Sequence, residues 1–138
     1  MAQVRVEDVI AAAPAAVWEI AADFGGIKRW TPSIGSCTLE GEGVGAVRRI
    51  EMNGMTIRER LEKLDEAARS LSYSIVEGPL PFRDYLATIE IHDGSGGGTR
   101  IVWYSTFEAA GMPDEQAQQM VEMIYRQGIA GMRKALMR

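Results

Sequence analysis

One carboxylate and two phenols occupy positions where apolar side chains would be expected. In "IRERL", Glu59 shares a strand face with Ile57 and Leu61, while Arg58, Arg60 and Glu62 take the opposite face. A carboxylate on an apolar inward face costs several kcal/mol unless it meets a partner, water or a ligand. Tyr73 in "SLSYSIVE" falls inward with Leu71 and Ile75, and Tyr85 in "YLATIEI" falls inward with Ala87, Ile89 and Ile91. Together these residues could run acid/base chemistry. Glu59 would remove a proton next to a carbonyl, and Tyr73 or Tyr85 would steady the developing oxyanion. The same groups could instead only orient a mostly apolar ligand, because a tyrosine joins a rigid apolar body to a polar tip.

Other reactive residue types carry less. His92, the single histidine, lies on the outward face beside a glycine-rich turn and reads as a surface residue. Cys37 is the single cysteine and has no histidine nearby, so a small half-buried residue is expected rather than a nucleophile. One cysteine excludes an intramolecular disulfide and a thiolate metal cluster, and a reducing cytoplasm is the expected compartment. No metal and no cofactor are expected. "GEGVG" and "GSGGG" each fall between two strands, without the helix N-terminus that a phosphate cradle needs, and are read as turns. A net charge of -4, from 15 basic and 19 acidic residues, gives no reason to bind nucleic acid or to associate stably with an anionic membrane.

The elements that must position these groups follow from periodicity. With 138 residues, 46% of them hydrophobic and 25% charged, the chain is expected to form one domain, 1–138, around one core. "QVRVEDV" alternates as an opening strand. "APAAVWEIAADF" then gives an amphipathic helix with Pro14 in its first turn, Gly25 and Gly26 stop it, and "IKRW" adds a further helical turn before Pro32. From Ile34 to Glu108 six strands alternate with turns at "GEGVG", Asn53-Gly54, "DEAAR", "GPLP" and "DGSGGG". After Pro113 a helix of about 24 residues, roughly 36 Å long, has an acidic first turn and a basic last turn. Its apolar positions Met120, Ile124, Gly128 and Ala135 recur close to a four-residue step, with Val121, Tyr125, Ile129, Met132 and Leu136 widening the stripe. The expected fold is α+β: a seven-stranded, curved antiparallel sheet wrapped around a long C-terminal helix, with two short helices after the first strand.

Four segments carry a family likeness: "PAAVWEIAADFGGIKRWTPSI", "GEGVGAVRRI", "IRERLEKLDEAARSLSYSIVEGPLPFRDYLATIEI" and "GTRIVWYSTFEA". In this order they resemble the polyketide cyclase/dehydrase-like (SRPBCC) branch of the START/Bet v 1 helix-grip superfamily, over nearly the whole chain. The resemblance implies a hydrophobic cavity between sheet and helix, and activities from lipid transport and hormone sensing to polyketide cyclisation. The stretch from Glu59 to His92 is also similar to plant abscisic acid receptors, in which "GPLP" corresponds to the latch beside the pocket and Glu59 to a cavity glutamate used in ligand hydrogen bonding. The receptors' separate gate loop is longer than the tight "MNGM" hairpin here, so the "GPLP" rim is expected to be a fixed lip.

Setting alternation beside the resemblance, the expected ligand-binding wall comprises Ile57, Glu59, Tyr73, Ile75, Tyr85, Ala87, Ile89, Trp103 and Ser105 from the strands and Leu80 and Phe82 from the rim. Met52, Met120 and Ile124 complete it from hairpin and helix, and Gly128 leaves room where a larger side chain would fill the cavity. Two functions compete. One is binding, for transport, storage or sensing, of a small hydrophobic molecule such as a lipid or polyketide-like compound, by a monomer or weak homodimer. The other is a cyclase or dehydratase using Glu59, Tyr73 and Tyr85. The state of Glu59 separates them: a carboxyl made neutral by burial beside a tyrosine hydroxyl favours chemistry, and one locked to an arginine such as Arg48 favours binding.

Overall fold

A computed structural model describes residues 1–137. The chain runs β1 (Ala2–Ile10), α1 (Pro14–Ala22), a 3₁₀ helix (Phe24–Arg29), β2 (Ser36–Glu40), β3 (Val47–Met52), β4 (Met55–Asp65), β5 (Ser70–Glu77), β6 (Phe82–Asp93), β7 (Thr99–Ala109) and α2 (Asp114–Leu136). The seven strands form one antiparallel sheet in the order β1-β7-β6-β5-β4-β3-β2. This is the α+β helix-grip arrangement expected, with two short helices after β1. The Asn53-Gly54 hairpin has positive φ at both central residues, 51° and 75°, as its tight turn requires.

One expected boundary moves. Gly25 and Gly26 do not stop α1; the helix ends at Ala22, where Asp23 leaves helical geometry with ψ 83°. Both glycines lie inside the 3₁₀ helix.

Three register shifts set the sheet's shape. They fall between Arg58 and Glu59, between Leu61 and Lys63, and between Arg83 and Leu86. Each inserts an extra residue into one strand, which bends it and raises its twist. At the third, Asp84 takes a left-handed backbone with φ 52°. Phe82 and Tyr85, whose odd spacing would put them on opposite faces of a regular strand, therefore both reach the concave side.

The long helix packs chiefly on β1 and β7, at one end of the sheet order. Its buried face is Ala117, Val121, Tyr125, Gly128, Ile129 and Met132, a stripe at helical spacing. Gln118 donates to the Gln3 carbonyl at 3.1 Å, and Arg133 donates to the Val9 carbonyl at 2.6 Å and pairs with Asp8 at 2.8 Å. These contacts fasten the helix along edge strand β1. Of the expected stripe, Val121, Tyr125, Gly128, Ile129 and Met132 are buried, whereas Met120 and Ile124 are exposed, at 37% and 46%, because Val121 and Tyr125 take the inward position.

Two glycines let α2 approach the segment after the 3₁₀ helix. A Cβ on Gly128 would fall 2.8 Å from the Trp103 ring and 3.2 Å from the Trp30 ring, and one on Gly131 would collide with the Trp30 carbonyl oxygen. The expectation that Gly128 leaves cavity space is corrected, since Trp103 and Trp30 occupy that space. Gly131→Ala gains helix propensity worth about 1 kcal/mol, but the backbone it meets cannot rotate aside, and overpacking costs about 1–3 kcal/mol or more. Urea denaturation should show a net loss of stability and a lower midpoint; an unchanged or raised midpoint would refute the close contact.

Candidate functional site: an apolar cavity with one buried ion pair

Between the concave face and α2 lies a cavity of about 520 Å³. Hairpin β3–β4 supplies Ile50, Met52, Met55 and Ile57; the strands beyond supply Tyr73, Ile75, Phe82, Tyr85 and Trp103; Leu80 comes from the β5–β6 connection. The helix contributes Val121, Ile124 and Gly128, and the 3₁₀ helix and the loop after it contribute Ile27, Trp30 and Ile34. The exposed members, Pro32, Ser33, Ile124, Gln127, Ala130 and Lys134, surround the mouth. The volume lies within the ~300–1,000 Å³ usual for small-molecule pockets.

Glu59 faces this cavity and is not free. Arg48 reaches its Oε1 with Nε at 2.8 Å and Nη2 at 2.7 Å. The two side chains are 5% and 13% exposed. Nη1 of Arg48 donates to the Phe24 carbonyl at 3.2 Å, and the guanidinium carbon lies 4.0 Å from the Phe24 ring centre and 5.0 Å from that of Tyr73. The cation is thus held by one carboxylate, one carbonyl and two ring faces. Oε2 of Glu59 makes no hydrogen bond within the described residues, which leaves one acceptor on the cavity side.

The phenols form a second polar group. The Tyr85 and Tyr125 hydroxyls are hydrogen-bonded to each other, and the Tyr125 ring stacks on Trp103 at 4.3 Å and 11°. Tyr73 lies between Phe24 and Tyr85, with ring centres 6.4 and 6.2 Å away. Burial, the largest cause at each, pushes the Tyr73, Tyr85 and Tyr125 phenols well above the usual range, so they remain neutral.

Of the residues expected to bind ligand, Met52, Ile57, Glu59, Tyr73, Ile75, Leu80, Phe82, Tyr85, Trp103, Ile124 and Gly128 line the cavity. Ala87, Ile89 and Ser105 do not; they are inward but fully covered, and belong to the core beside it. Met120 is a clearer correction, since it lies on the outer face of α2. Of the three candidates for catalysis, Glu59 is bound to arginine and Tyr85 to another phenol. Arg48, Trp30, Val121 and Lys134 are wall residues that alternation and stripe-reading did not single out as ligand contacts. Arg48 had a signal: counting back from Asn53-Gly54 pairs Met52 with Met55, Ile50 with Ile57 and Arg48 with Glu59, which is the observed register. His92 is outward and bonded to Glu90 at 2.9 Å. Cys37 is half-buried. Among the described residues no cluster of His, Cys, Asp and Glu could hold a metal ion, and no helix is long and apolar enough to cross a membrane.

Residues 1–137 match the family described as polyketide cyclase / dehydrase and lipid transport. The chain belongs to that family. Among solved structures, the protein XoxI from Bacillus cereus is similar at 31% identity and a TM-score of 0.90, covering 98% of this chain and 95% of that one. Ara h 8.0201 superposes with a TM-score of 0.77 at 21% identity, over 99% and 98% of the two chains, a likeness of fold alone. Abscisic acid receptor PYL7 from Arabidopsis thaliana is 28% identical over 90 residues, 59% of this chain and 43% of the receptor. This family and these folds place the chain in the START/Bet v 1 superfamily.

Two measurements test the site. Arg48→Met strands the Glu59 carboxylate and should cost about 3–5 kcal/mol; adding Glu59→Leu should restore most of that, and chemical denaturation of the single and double variants compares them. All four tyrosines have phenols pushed up, Tyr104 included, by burial first. The unfolded chain therefore ionises first, so their contribution is complete below about pH 10 and falls as pH rises beyond it. Tyrosinate absorbance should rise together with loss of circular dichroism; phenols that titrate at the model-compound value in folded protein would contradict the burial.

Proposed function

We propose that this protein binds a small hydrophobic molecule in the cavity, as a carrier, store or sensor. The locked Glu59 carries the proposal. With Oε1 held twice by Arg48, the carboxylate is fixed to present Oε2 as a hydrogen-bond acceptor, which suits orientation of a ligand hydroxyl or amine better than proton abstraction. The wall supports this reading, being aliphatic and aromatic apart from a few placed polar groups. The family's description includes lipid transport, and one relative is named a receptor for a small molecule. The cavity is open at its mouth, so water or a guest fills it, and a mostly apolar wall favours an apolar guest over water.

Cyclase or dehydratase chemistry draws less support, because it needs Glu59 released from Arg48 and a tyrosine hydroxyl directed to the reacting oxygen. Native mass spectrometry of protein purified from its own host is the direct test. A mass excess that disappears on denaturation, and is identified as an apolar small molecule, is the expected result. Protein that carries nothing, and that also fails to raise the fluorescence of a hydrophobic dye, would sink the proposal.

A further inference from the structure

The outward side of α2, opposite its buried stripe, carries a second pattern. Gln116, Met120, Met123, Gln127, Ala130 and Lys134 follow one another by alternating steps of four and three residues, and all are exposed. That alternation is the spacing at which one helix packs along another in a coiled coil. Single exposed apolar side chains need no explanation. Here, however, Met120 and Met123 stand on one strip with Ile124 at its flank, exposed at 37%, 61% and 46%. Met123, Gln127 and Ala130 also border a shallow depression of about 390 Å³ whose rim carries Glu122 and Arg126.

Charge along α2 is segregated. Asp114, Glu115 and Glu122 all precede Arg126, Arg133 and Lys134. The helix dipole accounts for the two end turns, and Glu122 and Arg126 pair within one copy at 3.1 Å. Neither accounts for an uncovered, regularly spaced strip beside them. A second α2 laid antiparallel resolves both features. It sets Glu122 of each copy against Arg126 of the other, the reciprocal exchange that a two-fold axis requires, and places each Met120 over the other copy's Ala130. Each acidic first turn then approaches the other copy's basic last turn, whereas parallel copies would bring like charges and like dipole ends together.

We infer that the outer face of α2 is the interface of a symmetric dimer, its partner a second copy of this chain with α2 antiparallel. Gln127, Ala130 and Lys134 border the cavity mouth as well as the strip, so the second copy stands along one side of the entrance. The strip is narrow and half polar, which places it among small, transient interfaces, and a dissociation constant on the order of 100 μM is expected.

Sedimentation velocity from about 10 μM to about 1 mM tests this. Wild type should shift from monomer towards dimer as concentration rises. Met123→Glu should abolish the shift, and Arg126→Glu, which sets two carboxylates together across the axis, should weaken association about tenfold. Combining Glu122→Arg with Arg126→Glu restores opposite charges across the axis and should return association close to the wild-type level. Wild type that stays monomeric throughout overturns the inference, as does a dimer that Met123→Glu leaves intact. A charge-exchanged double variant that associates no better than Arg126→Glu overturns the antiparallel register, and the inference with it. The substituted side chains are all exposed, so circular dichroism of every variant should match wild type.

Discussion

The cavity exists because a single helix cannot fill the concavity of a seven-stranded sheet from one edge. α2 is fastened along β1 by Gln118 and Arg133 and pinned at Gly128 and Gly131 to the segment around Trp30. With the helix committed there, the inner faces of β3, β4 and β5 are covered only in part, by the 3₁₀ helix and the loop after it. Their other side chains meet space, and the volume left over is the site. The bulges in β4, β5 and β6 follow from the same demand, since a sheet that must wrap a helix at one end and stand clear of it at the other has to bend.

That geometry also explains why the one charged pair in the wall is tolerated. Arg48 and Glu59 stand directly opposite each other on β3 and β4, where the sheet has left the helix behind. Two ring faces and the Phe24 carbonyl supply what water would otherwise give the guanidinium. A buried ion pair contributes little net stability over apolar residues of similar size. Its value here is placement: it holds one carboxylate oxygen at a fixed point on an otherwise featureless wall.

Much of this was legible in the residues. Alternation located the concave face of β4, β6 and β7, the Asn53-Gly54 dipeptide set the register of β3 on β4, and the family likeness supplied the cavity between sheet and helix. Three things were not. The apolar stripe of α2 was read too wide, because Met120 and Ile124 are as apolar as Val121 and Tyr125 and hydrophobicity alone cannot choose between adjacent positions. The bulge at Asp84 that brings Phe82 and Tyr85, both expected in the wall, onto one face has no local sign beyond an aspartate's tolerance of the left-handed backbone. The part played by Trp30 depends on Gly131, a close approach between segments about a hundred residues apart in sequence, which no local pattern encodes.

The placement of the three indoles has an optical consequence. Trp30 and Trp103 stand in the cavity wall, edge to face at 5.9 Å, whereas Trp18 is tied to Glu66 at 2.7 Å outside it. Exchange of water for an apolar guest changes the surroundings of two chromophores and spares the third. The emission spectrum of the unlabelled protein thus carries both a reporter of what fills the chamber and a reference against which to read it.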